Sequence, residues 1–253
     1  MQTLKPLRSL IIVLGLVTCA ASASAVTLYD PASGLPAAQG WASLVQGAAG
    51  TQSVSAGRYL LDTTGVGAST THGNGRVSGT TLDTVAGFTL AWSLRVAAEN
   101  HSSANRAGFS MVVIGSDPTH SLELAFWDSS VWAYHYDAAD ADRFVHGTGA
   151  LLDTGSSFRD YLLTVQGNSY SLASGSTVLF SGALENYTAQ GLPYTVPNFL
   201  FFGDNTSRAA SSVEVGSIVL TPIPEPASAV LMALGLGAVA VRARRRGLAL
   251  AAI

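Results

Sequence analysis

Apolar and polar positions alternate strictly over Phe88–Val96, "FTLAWSLRV". Phe88, Leu90, Trp92, Leu94 and Val96 share one face, and Thr89, Ala91, Ser93 and Arg95 the other. That period of two predicts a half-buried β-strand. Further runs of apolar, β-branched and aromatic residues follow at Ala107–Gly115, Ser121–Trp127, Val131–Tyr136, Asp160–Gln166, Ser169–Ser174, Ser176–Gly182, Asn198–Asp204 and Ser211–Leu220. Gly167-Asn168 is a two-residue hairpin signal, because both positions tolerate positive φ, and a single Gly175 separates the next pair. No stretch before Pro222 keeps a helical period. Many short strands with regular turn signals predict an all-β fold, an antiparallel sandwich or barrel.

The two ends depart from this pattern. Lys5 and Arg8 precede the apolar run Leu10–Ala20, and Ala23-Ser24-Ala25 supplies an A-x-A site. These are the parts of a cleaved secretory signal peptide, residues 1–25, leaving Val26 as the mature N-terminus. The apolar run is short for a permanent span of about 20 residues. Cys19 is the only cysteine, so no disulfide can form within the chain. Thr18 sits where a lipoprotein signal wants a small residue, so Cys19 is expected to leave with the leader. At the other end, Pro224-Glu225-Pro226 precedes an apolar run, Ala227–Val241, and the basic cluster Arg242, Arg244, Arg245 and Arg246. The run corresponds to a transmembrane helix of about 22 Å at about 1.5 Å per residue, against a hydrocarbon core of about 30 Å. The arginines act as a stop to translocation and hold the end in the cytoplasm.

Without its ends the chain changes character. Between Val26 and Pro222 there are seven arginines, no lysine and fifteen acids, a net charge of −8. An acidic domain without basic clusters is a poor nucleic-acid binder. The span of just under 200 residues accommodates one sizeable β-domain.

The hairpin series from Tyr161 to Leu184, followed by "FLFFGDNTSRAASSVEVGSIVL", resembles the back half of concanavalin A-like, laminin G-type jelly rolls. The likeness runs from about Phe88 to Leu220. It implies a jelly-roll sandwich over 26–222 that binds sugars or proteins, with hydrolysis of glycans in a minority of relatives. Leader, outer domain, Pro-Glu-Pro, short span and basic tail together resemble the PEP-CTERM sorting signal of Gram-negative bacteria, over 223–253. Pro224, Glu225 and Pro226 match the motif, 227–241 its transmembrane part and Arg242 to Arg246 its basic end. The resemblance implies an exosortase as processing partner and loss of the chain beyond Pro224–Pro226. It also implies transient residence in the inner membrane, delivery to the envelope, cell surface or matrix, and a link to exopolysaccharide and biofilm. The sequence "LPYTV", Leu192–Val196, lacks the glycine of a sortase signal and lies far upstream, so it reads as an ordinary loop. Nothing accounts for 247–253.

Catalytic patterns are sparse. There is no G-x-S-x-G elbow. The jelly-roll glycanase pattern E-x-D-x-x-E has its nearest match at Glu123–Asp128, which lacks the middle Asp and the final Glu. Glu123 therefore reads as a solvent-face strand residue. The five histidines, at 72, 101, 120, 135 and 146, lack zinc spacing. Asp137–Asp142 and Gly203–Ser207 carry calcium-type oxygens but read as acidic, solvated turns. No metal or cofactor is expected, and the domain should fold without either. The candidate ligand contacts are Trp132, Tyr134 and Tyr136, which share one strand face. They either stack on extracellular polysaccharide or fill the core of the sandwich; the dominance of aromatics in cores favours the latter. The predicted protein is thus a secreted or surface-sorted, non-enzymatic protein that binds glycan or protein. A jelly-roll hydrolase and a purely structural matrix protein are the alternatives.

Overall fold

The computed structural model describes residues 24–66 and 70–224, together with 235 and 237. Most of the leader, Cys19, Glu225, Pro226, most of the helix predicted at 227–241 and the arginines at 242, 244, 245 and 246 lie outside the described residues. Among the described residues no helix is long and apolar enough to cross a membrane.

Fifteen strands form in chain order: β1 (Val26–Tyr29), β2 (Ala42–Gln46), β3 (Thr51–Ser55), β4 (Arg58–Asp62), β5 (Thr71–Val77), β6 (Phe88–His101), β7 (Phe109–Ile114), β8 (Ser121–Phe126), β9 (Ser130–Tyr136), β10 (Phe144–Leu151), β11 (Arg159–Gln166), β12 (Ser169–Ser174), β13 (Thr177–Ala183), β14 (Phe199–Asp204) and β15 (Ala209–Pro222). The nine strands predicted from the pattern are β6–β9 and β11–β15. β1–β5 and β10 are additions. Three 3-10 turns, Pro31–Ser33, Pro36–Gln39 and Thr188–Gln190, are the helical structure among the described residues between 24 and 222.

All pairings are antiparallel, in two sheets. An eight-stranded sheet runs β13-β12-β11-β6-β15-β4-β3, with β1 also paired to β15; a seven-stranded sheet runs β10-β9-β8-β7-β14-β5-β2. The fold is therefore an antiparallel β-sandwich. The predicted inward face of β6 is fully in the core: Phe88, Leu90, Trp92, Leu94 and Val96 are each 2 % exposed or less. They meet Phe109, Met111, Leu122, Leu124, Phe126, Val131 and Ala133 of the facing sheet. On β15 the apolar phase slips from Val213 and Val215 to Ile218 and Leu220. The pairing absorbs the extra residue in a bulge, since Val215 lies opposite Leu94 and Ile218 opposite Trp92. The bulge keeps all four side chains inward.

The outward faces of the two sheets differ. On β6 the outward Thr89, Ala91, Ser93 and Arg95 are half-buried, whereas β7, β8 and β14 are buried at every position. The seven-stranded sheet is covered on its far side by chain from Glu185 to Asn198. Ser121 and Glu185 exchange backbone hydrogen bonds, and the buried Tyr187 donates its hydroxyl to the Tyr134 carbonyl at 2.8 Å. β5 is built for this cover: a Cβ on Gly73 would lie 2.2 Å from the Phe201 ring, and one on Gly75 2.7 Å from the Phe199 ring. Phe199 and Phe201 with Val112 and Ile114 form a small apolar cluster there, against which Tyr194 and Val196 pack.

Candidate functional site

On β8, Leu122, Leu124 and Phe126 point between the sheets, so Glu123 points to the far side. It is not the solvent-face residue the pattern predicts, for it is only 3 % exposed. The cause is tertiary: the 185–198 cover and the β14–β15 turn close over it. Tyr194 donates its hydroxyl to Oε2 at 2.6 Å, and Asn205 donates Nδ2 to Oε1 at 2.7 Å. Burial raises the Glu123 carboxyl above its ordinary pKa, opposed by the hydrogen bonds from Tyr194 and Asn205 and, more weakly, by the charge of Arg106. Tyr194 is in turn held well above its usual value, by burial first and the adjoining Glu123 second. The pair thus stores charge poorly and hydrogen bonds well.

Arg106 stands at the rim. Its Nη1 donates to the carbonyls of Asn105 and Phe144 and its Nη2 to that of Asp142, each at 2.7 Å. Three carbonyls fix the guanidinium without neutralising it. Arg208 pairs with the Asp142 carboxylate. Between these groups lies a cleft of about 240 Å³, walled by Tyr134, Phe144 and Tyr194 and edged by Glu123, Gln190 and Asn205. Arg106 and Asn205 also line a second, more polar depression of about 450 Å³ that reaches Gln46 and Thr71.

The aromatic row lies on this face, not in the sandwich core, where Val131 and Ala133 from the same strand are found instead. The alternation of β9 was legible; which side the rings would face was not. Trp132 is fully buried, its ring stacked on His146 with centroids 4.2 Å apart and planes 10° from parallel. Tyr134 is buried beside it and meets Phe144 edge-on. Tyr136 is half-buried, and its hydroxyl accepts a hydrogen bond from Gln190 Nε2 at 3.0 Å. Of the row, therefore, Tyr136 alone offers ring surface to solvent; Tyr134 lines the cleft, and Trp132 is covered by His146. Trp127 adjoins Trp132 and stacks on His101 at 4.0 Å.

The acidic turns divide. Asp137 and Asp140 accept backbone N–H groups of Ala139 and Asp142 within an exposed loop, as the pattern predicts. Asp204 departs from its expected place in a solvated turn. It is 1 % exposed and accepts from the Thr63 hydroxyl at 2.8 Å and the Thr206 N–H at 3.1 Å. Burial pushes its carboxyl up to about 7 against those two bonds. It is buried because β14 carries it in register with His72 of β5. Among the described residues no cluster of three metal-ligating side chains forms.

The sequence pattern singled out Glu123 and the row but missed Arg106, Gln190, Tyr194 and Asn205. Arg106, Tyr194 and Asn205 lie in loops and Gln190 at the end of a 3-10 turn, each more than eighty residues from at least one other residue of the cleft, so no local spacing could have joined them. The "LPYTV" loop does more than connect, since it supplies Tyr194. Of the sorting residues Pro224 is described and exposed.

Residues 222–246 match the model of the PEP-CTERM protein-sorting motif, which marks the chain as an exported, surface-sorted protein. No curated protein matches the chain. Among solved structures, the carbohydrate esterase vb_24B_21 of the Shiga toxin-encoding bacteriophage phi24B is similar over 79 % of this chain and 99 % of its own, at 14 % identity and a TM-score of 0.56. Domain 4 of the arabinanase AbnA from Geobacillus stearothermophilus, solved with arabinotriose, covers 82 % of this chain and 96 % of its own, at 12 % identity and a TM-score of 0.48. At such identities the likeness to the esterase is one of fold alone.

Proposed function

We propose that the protein is a surface-sorted carbohydrate-binding protein, processed by an exosortase and acting in the exopolysaccharide matrix. Its ligand would lie across the covered face of the seven-stranded sheet. The observation that carries this reading is the cleft itself. Half-buried rings of Phe144 and Tyr194 stand beside the amides of Gln190 and Asn205 and the guanidinium of Arg106, and Tyr136 adjoins them through its hydrogen bond from Gln190 and its contact with Phe144. Rings take the C–H faces of a sugar, and amides in fixed positions read its hydroxyls. Glu123 is the one carboxylate lining the cleft among the described residues, and both its oxygens already accept hydrogen bonds. Glycoside hydrolysis with retention needs two carboxyl groups about 5–5.5 Å apart, so binding without cleavage is favoured. The similarity of the fold to a phage carbohydrate esterase supports a carbohydrate ligand as well.

The test is binding of the mature exported protein to an array of bacterial polysaccharides, with reducing ends assayed in parallel. Binding without release of reducing ends is expected, and Tyr136→Ala should weaken it at least about tenfold while leaving Tm nearly unchanged. Cleavage of a bound glycan would replace the binding reading with an enzymatic one. Silence across the array would point to a structural matrix role.

A further inference from the structure

The polar depression beside the cleft has a charge character that the rest of the domain lacks. Between Val26 and Pro222 the chain carries seven arginines, no lysine and a net charge of −8, yet two of the seven, Arg106 and Arg208, line this one depression. Its other walls carry only amides and hydroxyls, from Gln46, Thr71, Asn205, Thr206 and Ser207, and no carboxylate lines it among the described residues. Other arginines are engaged elsewhere. Arg58 and Arg95 both pair with Glu214, and Arg76 donates to the Leu28 carbonyl and lies over the Trp41 ring. Around the depression the positive charge is only partly balanced. Asp142 accepts Arg208 Nη2 at its carboxylate, whereas Arg106 reaches only the Asp142 backbone carbonyl. One carboxylate therefore serves two guanidinium groups. Glu123 stands on the cleft side of Arg106, where burial opposes its ionisation.

We propose that the glycan is anionic: an acid group on one sugar sits in the depression against Arg106 and Arg208, while the neighbouring sugar lies on the rings of the cleft. This inference rests on the carbohydrate-binding reading and adds to it the charge of the ligand and the place of its acid group. Cleft and depression share Arg106, Asn205 and Thr206, so one glycan chain spans both. A guanidinium presents its N–H donors as a planar fork, which matches paired oxygens of a carboxylate or of a sulfate or phosphate ester. Arg106 is ready for this role, because three carbonyls already hold its guanidinium in place and little ordering is left to be done on binding. Arg208 is 45 % exposed and held by Asp142 through one nitrogen, so it can turn towards an incoming anion. The domain's overall negative charge does not prevent this, since exposed charges are largely screened beyond about 8–10 Å at physiological salt. The amides and hydroxyls of the same depression are suited to the sugar hydroxyls next to the acid group.

The polysaccharide array tests this when each acidic polymer stands beside its own neutral form, carboxyl-reduced for uronates and stripped of its esters for sulfated or phosphorylated chains. The acidic form should bind at least about tenfold more tightly, the scale of one hydrogen bond to a charged group, and the pairs that respond identify the acid group. Equal binding of the two forms, or binding of neutral polymers alone, overturns this proposal and leaves the carbohydrate-binding reading standing. Silence across the array overturns both. Two variants then locate the contact on the acidic polymer that binds best. Arg208→Gln should weaken binding about tenfold or more, and unchanged binding overturns the proposal. Gln46→Glu serves where Arg208→Gln fails to fold, because it replaces an exposed amide on edge strand β2 with a carboxylate of the same size. It places a negative charge in the depression and should weaken binding several-fold at low salt, with Tm unchanged and the loss shrinking at about 0.5 M NaCl. A Gln46→Glu protein that melts like the parent and binds the acidic polymer equally well overturns the proposal.

Discussion

The outward faces of the two sheets start from the same strand geometry and end in opposite environments. On the eight-stranded sheet, β6 and β11 alternate: Leu90 and Leu163 are fully buried, while outward Leu162 is 40 % exposed. On the seven-stranded sheet the outward residues of β7, β8 and β14 are as buried as the inward ones. One face meets water; the other meets the chain from 185 to 198, and it is there that an acid, a guanidinium, amides and rings converge. A strand buried on both sides can position polar groups away from bulk water, which an exposed face cannot do.

This contrast can be broken most sharply at Trp132. Trp132→Ala removes a fully buried ring outside the sandwich core and should lower stability by about 3–5 kcal/mol, read by thermal or denaturant unfolding. A loss near zero would mean the covered face behaves like the exposed one. The next largest effect concerns Asp204. Its carboxyl is raised from an ordinary 3.8 to about 7 in the fold. The folded state therefore binds the proton more tightly, and this stabilising contribution is complete below about pH 4 and lost as pH rises to about 7. Buried His72 and the more exposed His146, both shifted down by desolvation, act with the opposite sign, so the comparison must be with Asp204→Asn. That variant should be more stable relative to the parent at pH 8 than at pH 5, by roughly 2–4 kcal/mol; parallel pH profiles would refute the shift.

Tyr194→Phe tests the polar centre of the covered face. It leaves Glu123 Oε2 without its donor, at a cost of about 1–3 kcal/mol. Because burial raises the Glu123 carboxyl and the missing bond favours its ionised form, the loss should grow as pH rises through the range in which the carboxyl ionises. Unfolding curves over a series of pH values check this, and a loss that never grows with pH would refute it. Smallest of all, Leu162→Ala on the exposed face should change stability by no more than about 0.5 kcal/mol. A larger loss there would erase the contrast from the other side.

Part of the contrast was written in the sequence. "FTLAWSLRV" alternates, whereas "FSMVVI" and "FLFFGD" are nearly continuous apolar runs, the mark of strands buried on both faces. "SLELAF" hides the same status behind one glutamate, which is why Glu123 reads as a solvent-face residue. β5, "THGNGRV", was invisible because its glycines answer to Phe199 and Phe201 more than 120 residues away. β10 was invisible for a similar reason: its small and polar residues carry no alternation, and its place is set by pairing with β9.

By itself the sequence determined the all-β class, the inward face of β6 and the sorting motif, because each is a local pattern of period, turn chemistry or composition. Only the tertiary structure decided that the aromatic row lies outside the core, that Glu123 and Asp204 are buried, and that Arg106, Tyr194 and Asn205 share one cleft. Those outcomes depend on which loop closes over which sheet. Such a closure is settled by the packing of distant segments, and no residue carries it in its own neighbourhood.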